Sequence, residues 1–339
     1  MNFQYIKMIK TIYIEEEIAG HPRTKRIIKR FPKASKIICD RYTEIFNRKS
    51  QNFRLQKKNP ALILAKKHKK MVLEVPDNYG IGAKYNYYFS HMLNCVYDCR
   101  YCFLQGMFQS AHYVLFINYE DFMHELELTL KKHNTENVHF FSGYDCDSLA
   151  LDSISDFTDN FLPFFEINPN ALIELRTKST QIKSLLKRSP INNCVIAFSF
   201  TPNKISSSLE HKTPSVARRL EAILQLQKMG WQIGLRFDPL IYTETFIDEY
   251  NELFKDIFSK IDLELVHSVS LGGFRLPKSY FRKIEKLYPD EILVTSPLTN
   301  EDNVICYPEK IRDDMFNFSE KIISQYIPAE KFFPCYEIT

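Results

Sequence analysis

The sequence predicts an α/β fold: a parallel sheet of six strands curled into an open, partial (β/α)6 barrel of TIM type, with an N-terminal extension and a C-terminal segment. Three observations predict it. Beyond Asn86, short apolar runs alternate with longer amphipathic stretches, the pattern of strand and crossover helix. Strands joined by crossover helices run parallel in one sheet. The 339 residues leave too little chain after the sixth strand for a full eightfold barrel.

The elements follow in order. Residues 1–85 alternate apolar patches with basic turns, with helices predicted at Thr24–Phe31 and Ala61–Lys70, and read as a basic extension packed on the main domain. Residues 86–285 hold the barrel. Its strands are predicted at Tyr87–His91, Asn137–Phe141, Ala171–Arg176, Cys194–Ser199, Gln232–Phe237 and Ser268–Leu271. Helices are predicted between them at Tyr119–His133, Asp152–Asn168, Thr180–Arg188, Ser215–Met229 and Thr245–Ile261. Residues 286–339 form a helical and aromatic segment packed on the barrel, with a helix-like Asp313–Gln325.

Composition is that of a globular chain. Hydrophobic residues make up 45% and charged residues 25%, with only nine glycines, so a substantial core forms and collagen-like or disordered character is excluded. The 27 Phe and 19 Tyr mean large core side chains or stacking platforms for bases. The net charge is only +4, but basic clusters at Arg23–Arg30 and Lys57–Lys70 suit either an anionic partner or a solvated helix face. No signal peptide and no apolar run long enough for a bilayer is found, which gives a cytoplasmic expectation. In that compartment the eight cysteines, at 39, 95, 99, 102, 146, 194, 306 and 335, are candidates for metal binding or catalysis rather than disulfides.

Three of them fall within eight residues, in Cys95-Val-Tyr-Asp-Cys99-Arg-Tyr-Cys102. Structural zinc takes four protein ligands, and no fourth His or Cys lies at a usual spacing. Three thiolates suit a cubane cluster whose fourth iron stays open.

A C-x3-C-x2-C motif with an aromatic residue before the last cysteine resembles the radical S-adenosylmethionine superfamily. The resemblance implies a [4Fe–4S] cluster on Cys95, Cys99 and Cys102 as metal ligands, S-adenosylmethionine on the open iron, and a 5′-deoxyadenosyl radical as product. Tyr101 would lie beside the adenine. From about Ser90 to Lys278 the chain is similar to the spore photoproduct lyase family of DNA-repair lyases, most specifically in Cys102-Phe103-Leu104-Gln105 and in the block ending Asp147-Ser-Leu-Ala-Leu-Asp152. Carried over position by position, Ser142 and Gly143 would present backbone to the methionine amine, Lys178 would pair with its carboxylate, and Ser199 would bond to the cofactor. Arg176 and Glu174 would stand behind them.

The chain departs from the family's pattern at three places. The hydrogen-returning cysteine of the family falls in the column of Tyr144, with Cys146 two residues later; both are candidate catalytic residues, together with the retained Tyr101. Phe103 stands where the family has a tyrosine. The basic N-terminal region lies outside the similarity. The stretch Gly272-Gly-Phe-Arg-Leu-Pro-Lys278 would bring Arg275 and Lys278 to DNA phosphates, or would be a barrel-rim turn. Arg236 and Asp238 would face the substrate or form a buried ion pair. The expected function is repair of a thymine-dimer lesion in DNA, with a reducing partner such as flavodoxin or ferredoxin and no membrane. The alternatives are a radical enzyme acting on another base or a small molecule, and a non-catalytic metal-bearing DNA-binding protein.

Overall fold

The computed structural model describes residues 9–76, 80–134 and 136–336. Strand β1 (Thr11–Glu15) lies between β2 (Ser35–Cys39) and β3 (Leu62–Ala65), all parallel. The chain then enters a larger sheet through β4 (Val72–Glu74), an antiparallel edge on β5 (Tyr85–Phe89). It returns to the first sheet with β6 (Met92–Leu93) and, after the short β7 (Asp98–Cys99), with β8 (Tyr113–Phe116). The first sheet thus has the order β2-β1-β3-β8-β6 and brackets the cysteine loop between its last two strands.

The larger sheet continues through β9 (Val138–Ser142), β10 (Ala171–Thr177) and β11 (Cys194–Ser199). After a two-residue β12 (Glu210–His211) come β13 (Gln232–Leu240) and β14 (Val266–Gly273). Six parallel strands stand side by side in chain order, β5-β9-β10-β11-β13-β14, in a curled eight-stranded half-barrel. A rim hairpin follows, in which β15 (Arg275–Pro277) and β16 (Thr299–Glu301) flank β17 (Val304–Cys306). The aromatic tail supplies the eighth strand, β18 (Phe332–Cys335), parallel to β14. Strands β9 and β11 are buried at every residue, as expected of a parallel sheet covered on both faces. The register brings Ser142 level with Phe89 and Leu175, and Arg236 level with Ser199 and Ser270, so these strand ends share one rim.

Three predicted elements are corrected. Ala61–Lys70 is not a helix: Leu62–Ala65 is the buried β3, flanked by β1 and β8, and the lysines after it leave the sheet as a loop. A short apolar run reads as either helix or strand, and burial on both faces decides for strand. Asp152–Asn168 is two helices, Asp152–Ser155 and Phe157–Ile167, broken at Asp156 with φ +50°. Asp156 pairs at the break with Arg26 and Arg30, at 2.9 and 3.0 Å. Thr180–Arg188 keeps only one 3-10 turn, Leu185–Lys187. Its start is taken by side chains that bond to backbone: Thr177 Oγ1 accepts from the Ser179 N–H at 2.8 Å and Ser179 Oγ from that of Gln181 at 3.1 Å.

A second core cluster joins the first sheet to the barrel. Ile12, Ile14, Leu62 and Leu64 pack there with Cys146, Leu151 and Ile154. Part of the N-terminal positive charge turns inward. Arg23 is buried over the Tyr119 ring at 4.1 Å and pairs with Glu120, and Lys67 lies over Phe116 and Phe122, whereas Lys66 pairs with Glu17 at the surface. Among the described residues no helix is long and apolar enough to cross a membrane.

Candidate active site

The cysteine loop is built by local hydrogen bonds before any ligand is considered. Asn94 takes φ +71°, its amide donates to the carbonyls of Ser110 and His112 at 2.9 and 3.1 Å, and its Oδ1 accepts from the Cys95 N–H at 3.0 Å. Cys99 is paired across β7–β12 with Glu210, and Arg100 N–H donates to the Leu209 carbonyl at 2.8 Å. The Cys102 N–H closes a turn on the Cys99 carbonyl at 3.1 Å. Cys99 is buried and Cys95 and Cys102 are half-buried; Cys95 Sγ accepts from the Tyr97 N–H at 3.4 Å. Burial pushes all three thiols up, and for Cys95 and Cys99 a neighbouring loop cysteine adds to the effect. A metal group that takes them as thiolates displaces their protons on binding.

A buried charge network lies beneath the loop. Tyr101 donates its hydroxyl to Glu210, which also accepts from Ser206 Oγ at 2.9 Å and from Arg219. Lys178 Nζ stands 3.8 Å from Glu210 and 5.5 Å from the centroid of the Tyr101 ring. Burial alone would raise the Glu210 carboxyl, but Arg219, Lys178 and the hydrogen bonds overcome it and hold the group down at about 2. One carboxylate thus faces two cations, which leaves surplus positive charge beside the cysteine loop. Sequence reading missed Glu210 because its partners lie at positions 101, 178, 206 and 219 and no local pattern marks it.

The strand ends supply the remaining groups. Ser142 Oγ donates to the Glu174 carbonyl at 2.9 Å and lies 2.8 Å from Ser148 Oγ. Gly143 turns with φ +85°, and a Cβ there would come within 2.5 Å of Ser148 Oγ, so the position needs glycine on both counts. Asp147 ties this turn to β10: Oδ1 accepts from Leu149 N–H, Ala150 N–H and Thr177 Oγ1, and Oδ2 from the Lys178 N–H at 2.7 Å. Asp152 accepts from Thr158 and Ser184 in the same way. Both aspartates of the block at 147–152 are therefore braces: Asp147 fixes where Lys178 starts, and Asp152 ties Thr158 to Ser184. Ser199 is buried at the end of β11, its carbonyl held by Arg219 at 2.9 Å.

At the middle of the rim, Glu174 is buried with both oxygens on Arg236, at 3.1 and 2.6 Å, and Arg176 Nε lies 3.0 Å from it. Arg236 is thus in a buried pair rather than facing a substrate, with Ser268 as a further partner at 2.9 Å. Arg176 remains 40% exposed, the outward cation of this second set. Asp238 meets Arg275 at 3.4 Å, and Arg275 also donates to the Gly273 carbonyl at 2.9 Å. Arg275 is mostly buried, with 14% of its side chain exposed, whereas Lys278 opens the helix Lys278–Leu287.

Tyr144 and Cys146 part company. Tyr144 is 48% exposed, and its ring lies 4.5 Å from that of Tyr88 and 5.4 Å from that of Phe103, the residue after Cys102. Cys146 is buried in the second core cluster, between the first sheet and the barrel, and burial, Asp145 and Asp147 push its thiol up.

Soft thiolates gathered in one loop match an iron–sulfur cluster. Among the described residues no three His, Cys, Asp or Glu side chains close on a single ion. A cubane does not ask for that, since each of its thiolates meets its own iron. The Tyr97 N–H on Cys95 Sγ and the surplus charge of Lys178 complete a donor set that fits the cluster and a carboxylate-bearing cofactor.

A protein-family model described as spore photoproduct lyase matches residues 8–302. Among curated proteins, the spore photoproduct lyase of Bacillus subtilis (strain 168) is 23% identical over 198 residues, 58% of each chain. That of Clostridium acetobutylicum is 25% identical over 207 residues, 60% of this chain and 61% of its own. These alignments span about three fifths of the relatives' length. A solved spore photoproduct lyase mutant with bound AdoMet and dinucleoside spore photoproduct superposes with a TM-score of 0.84 at 18% identity, over 98% of this chain and 99% of that one. A spore photoproduct lyase complexed with dinucleoside spore photoproduct gives 0.80 at 17% identity, over 96% and 98%. At these identities the structures show the shared fold.

Proposed function

The chain belongs to the spore photoproduct lyase family, and from that premise we propose that it is a radical S-adenosylmethionine lyase that reverts a spore photoproduct-type thymine dimer in DNA. The observation that carries the proposal is the cysteine loop seated beside Lys178 at the strand-end rim, with Glu210 already neutralised by Arg219. Cys95, Cys99 and Cys102 would hold a [4Fe–4S] cluster, which together with S-adenosylmethionine would supply the radical chemistry that abstracts hydrogen from the lesion. Lys178 balances the cofactor's carboxylate. Tyr101, fixed by Glu210, lies beside Lys178, and Ser142 with Gly143 and Ser199 offer polar groups at two strand ends. Arg176 adds an outward cation at the rim. An electron carrier of flavodoxin or ferredoxin type is the proposed reductant, and duplex DNA the carrier of the lesion, with Arg275 and Lys278 on its side of the rim.

We assign the return of hydrogen to Tyr144 rather than Cys146, because Tyr144 is exposed beside Phe103 while Cys146 is walled into a core. The O–H bond of Tyr144 would break as the new C–H bond of the product forms, leaving the unpaired electron on the phenoxyl.

The test uses anaerobically reconstituted full-length protein and DNA carrying the lesion. Thymine should be restored, and Cys99→Ala should abolish both this and 5′-deoxyadenosine release. Cleavage of the cofactor without thymine would overturn lesion repair. Tyr144→Phe should divert product into adducts, with Cys146→Ala unchanged; the reverse result would reassign the donor.

A further inference from the structure

Beside the cysteine loop, three stretches distant in sequence, at 57, 98–105 and 288–291, meet in one polar cluster. The ammonium of Lys57, on the helix Phe53–Lys58, uses all three of its donors. One goes to Asp98 Oδ1, one to Gln105 Oε1 at 2.6 Å and one to Tyr288 Oη at 3.0 Å. Gln105 Nε2 donates to Asp98 Oδ1 at 3.1 Å, and the Tyr288 hydroxyl donates to Gln105 Oε1 at 3.3 Å. Arg100 joins from the loop itself. Its Nη1 lies 2.9 Å from Asp98 Oδ1, its Nε 2.8 Å from Glu291 Oε1, and its guanidinium stacks 3.7 Å over the Tyr288 ring centroid. The carboxylate at the centre is 9% exposed and the lysine 19%.

Three facts make this more than a surface ion pair. Asp98 sits between two of the three loop cysteines and directly precedes Cys99, so whatever holds it holds the loop. Gln105 belongs to the Cys102-Phe-Leu-Gln segment that the proposed chemistry leaves without a role. Lys57 belongs to the basic run that the sequence offers as an anion-binding face, yet here it is turned inward. The cluster also has a definite charge layout. Asp98 is met directly by Lys57 and by Arg100, which is shared with Glu291, and it also feels the charge of Lys212, so removing Lys57 takes away one of the two cations in contact with the carboxylate next to Cys99.

We propose that Lys57, Asp98, Gln105, Arg100 and Tyr288 form a positioning clamp that fixes the cysteine loop and offsets negative charge beside it, making the iron–sulfur group on that loop easier to reduce. The inference rests on the proposed cluster at Cys95, Cys99 and Cys102. Its two halves, rigidity and charge, separate experimentally. A bound cluster takes up one negative charge on reduction, and an uncompensated carboxylate nearby opposes that step.

The experiment compares the full-length parent with Lys57→Met, Lys57→Arg, Tyr288→Phe and Lys57→Met/Asp98→Asn. In cluster-free protein, amide hydrogen exchange over residues 95–107 should be at least about tenfold faster in Lys57→Met, near the parent in Lys57→Arg and several-fold faster in Tyr288→Phe. In reconstituted protein at a fixed potential, the reduced-to-oxidised ratio of the cluster should fall about tenfold in Lys57→Met, a shift of about 59 mV for a one-electron couple. Adding Asp98→Asn should restore the ratio but not the slow exchange. Unchanged exchange in both Lys57→Met and Tyr288→Phe overturns the clamp. Altered exchange with an unchanged potential overturns the electrostatic half. Should Lys57→Met not fold, Tyr288→Phe, which keeps the ring and loses one hydroxyl, carries the exchange test alone. Failure to take up an iron–sulfur chromophore, with altered exchange in the variants, counts against the proposed function and leaves the clamp standing.

Discussion

At the scale of single residues, the site depends on a few buried charges whose partners are all distant in sequence. Glu210 is the clearest. It is fully buried, accepts from Tyr101, Ser206 and Arg219, and stands beside Lys178. Glu210→Gln keeps the shape but strands Arg219 without a counter-charge, and breaking a buried pair in this way costs roughly 3–5 kcal/mol. Urea unfolding should show that loss; an unchanged midpoint would show that Arg219 finds another partner. The cluster cysteines differ from Glu210 in being visible from sequence. Ligands to one cluster must be close in space, and a short loop achieves that through chain spacing alone, so the spacing is itself the signal. Lys178 and Ser199 could be placed from sequence only through resemblance. Each is a common polar residue whose meaning comes from the strand end it occupies.

At the scale of elements, parallel strands were legible because their apolar runs are short, regular and nearly continuous; Cys194–Ser199 matches its predicted bounds and the other boundaries shift by at most three residues. The misread pieces are those where a tertiary contact overrides local preference. Leu62–Ala65 is a strand because β1 and β8 lie on either side of it. The break at Asp156 follows the two arginines that converge on it from the helix Pro22–Lys29 and its end. The turn after β9 makes a sharp prediction. Gly143→Ala places a methyl 2.5 Å from Ser148 Oγ at φ +85°, and strain of this kind costs about 1–3 kcal/mol. The turn must shift, so thermal stability and S-adenosylmethionine affinity, measured by calorimetry, should fall together. Loss of stability with full affinity would mean that Gly143 shapes the turn without touching the cofactor.

At the scale of the whole molecule, acid should be the chain's weak side. His91 and His139 are fully buried, and burial pushes both down from 6.5 to about 3. Between those values the unfolded chain binds a proton at each site and the folded chain does not. Stability is therefore complete above pH 6.5 and is lost as pH falls toward 3, by about 3 kcal/mol per histidine near pH 4.5. His91→Phe keeps the stack on Phe157, 3.8 Å away, and removes the titration. The drop in unfolding free energy between neutral pH and about pH 4.5 should shrink by about 3 kcal/mol, and an unchanged drop would show that His91 is protonated in the native state. The same scale divides what the two kinds of information can say. The order of strands and helices in the barrel and the cysteine loop could be read from the chain, because both are written in neighbours along it: a period of apolar residues and a spacing of thiols. Only the tertiary structure decided that the N-terminal strands form a sheet with β6 and β8 around that loop, that Lys57 turns inward to Asp98, and that Cys146 is walled off while Tyr144 faces out. Those outcomes depend on which distant surfaces bury one another, and no local pattern in the chain encodes that.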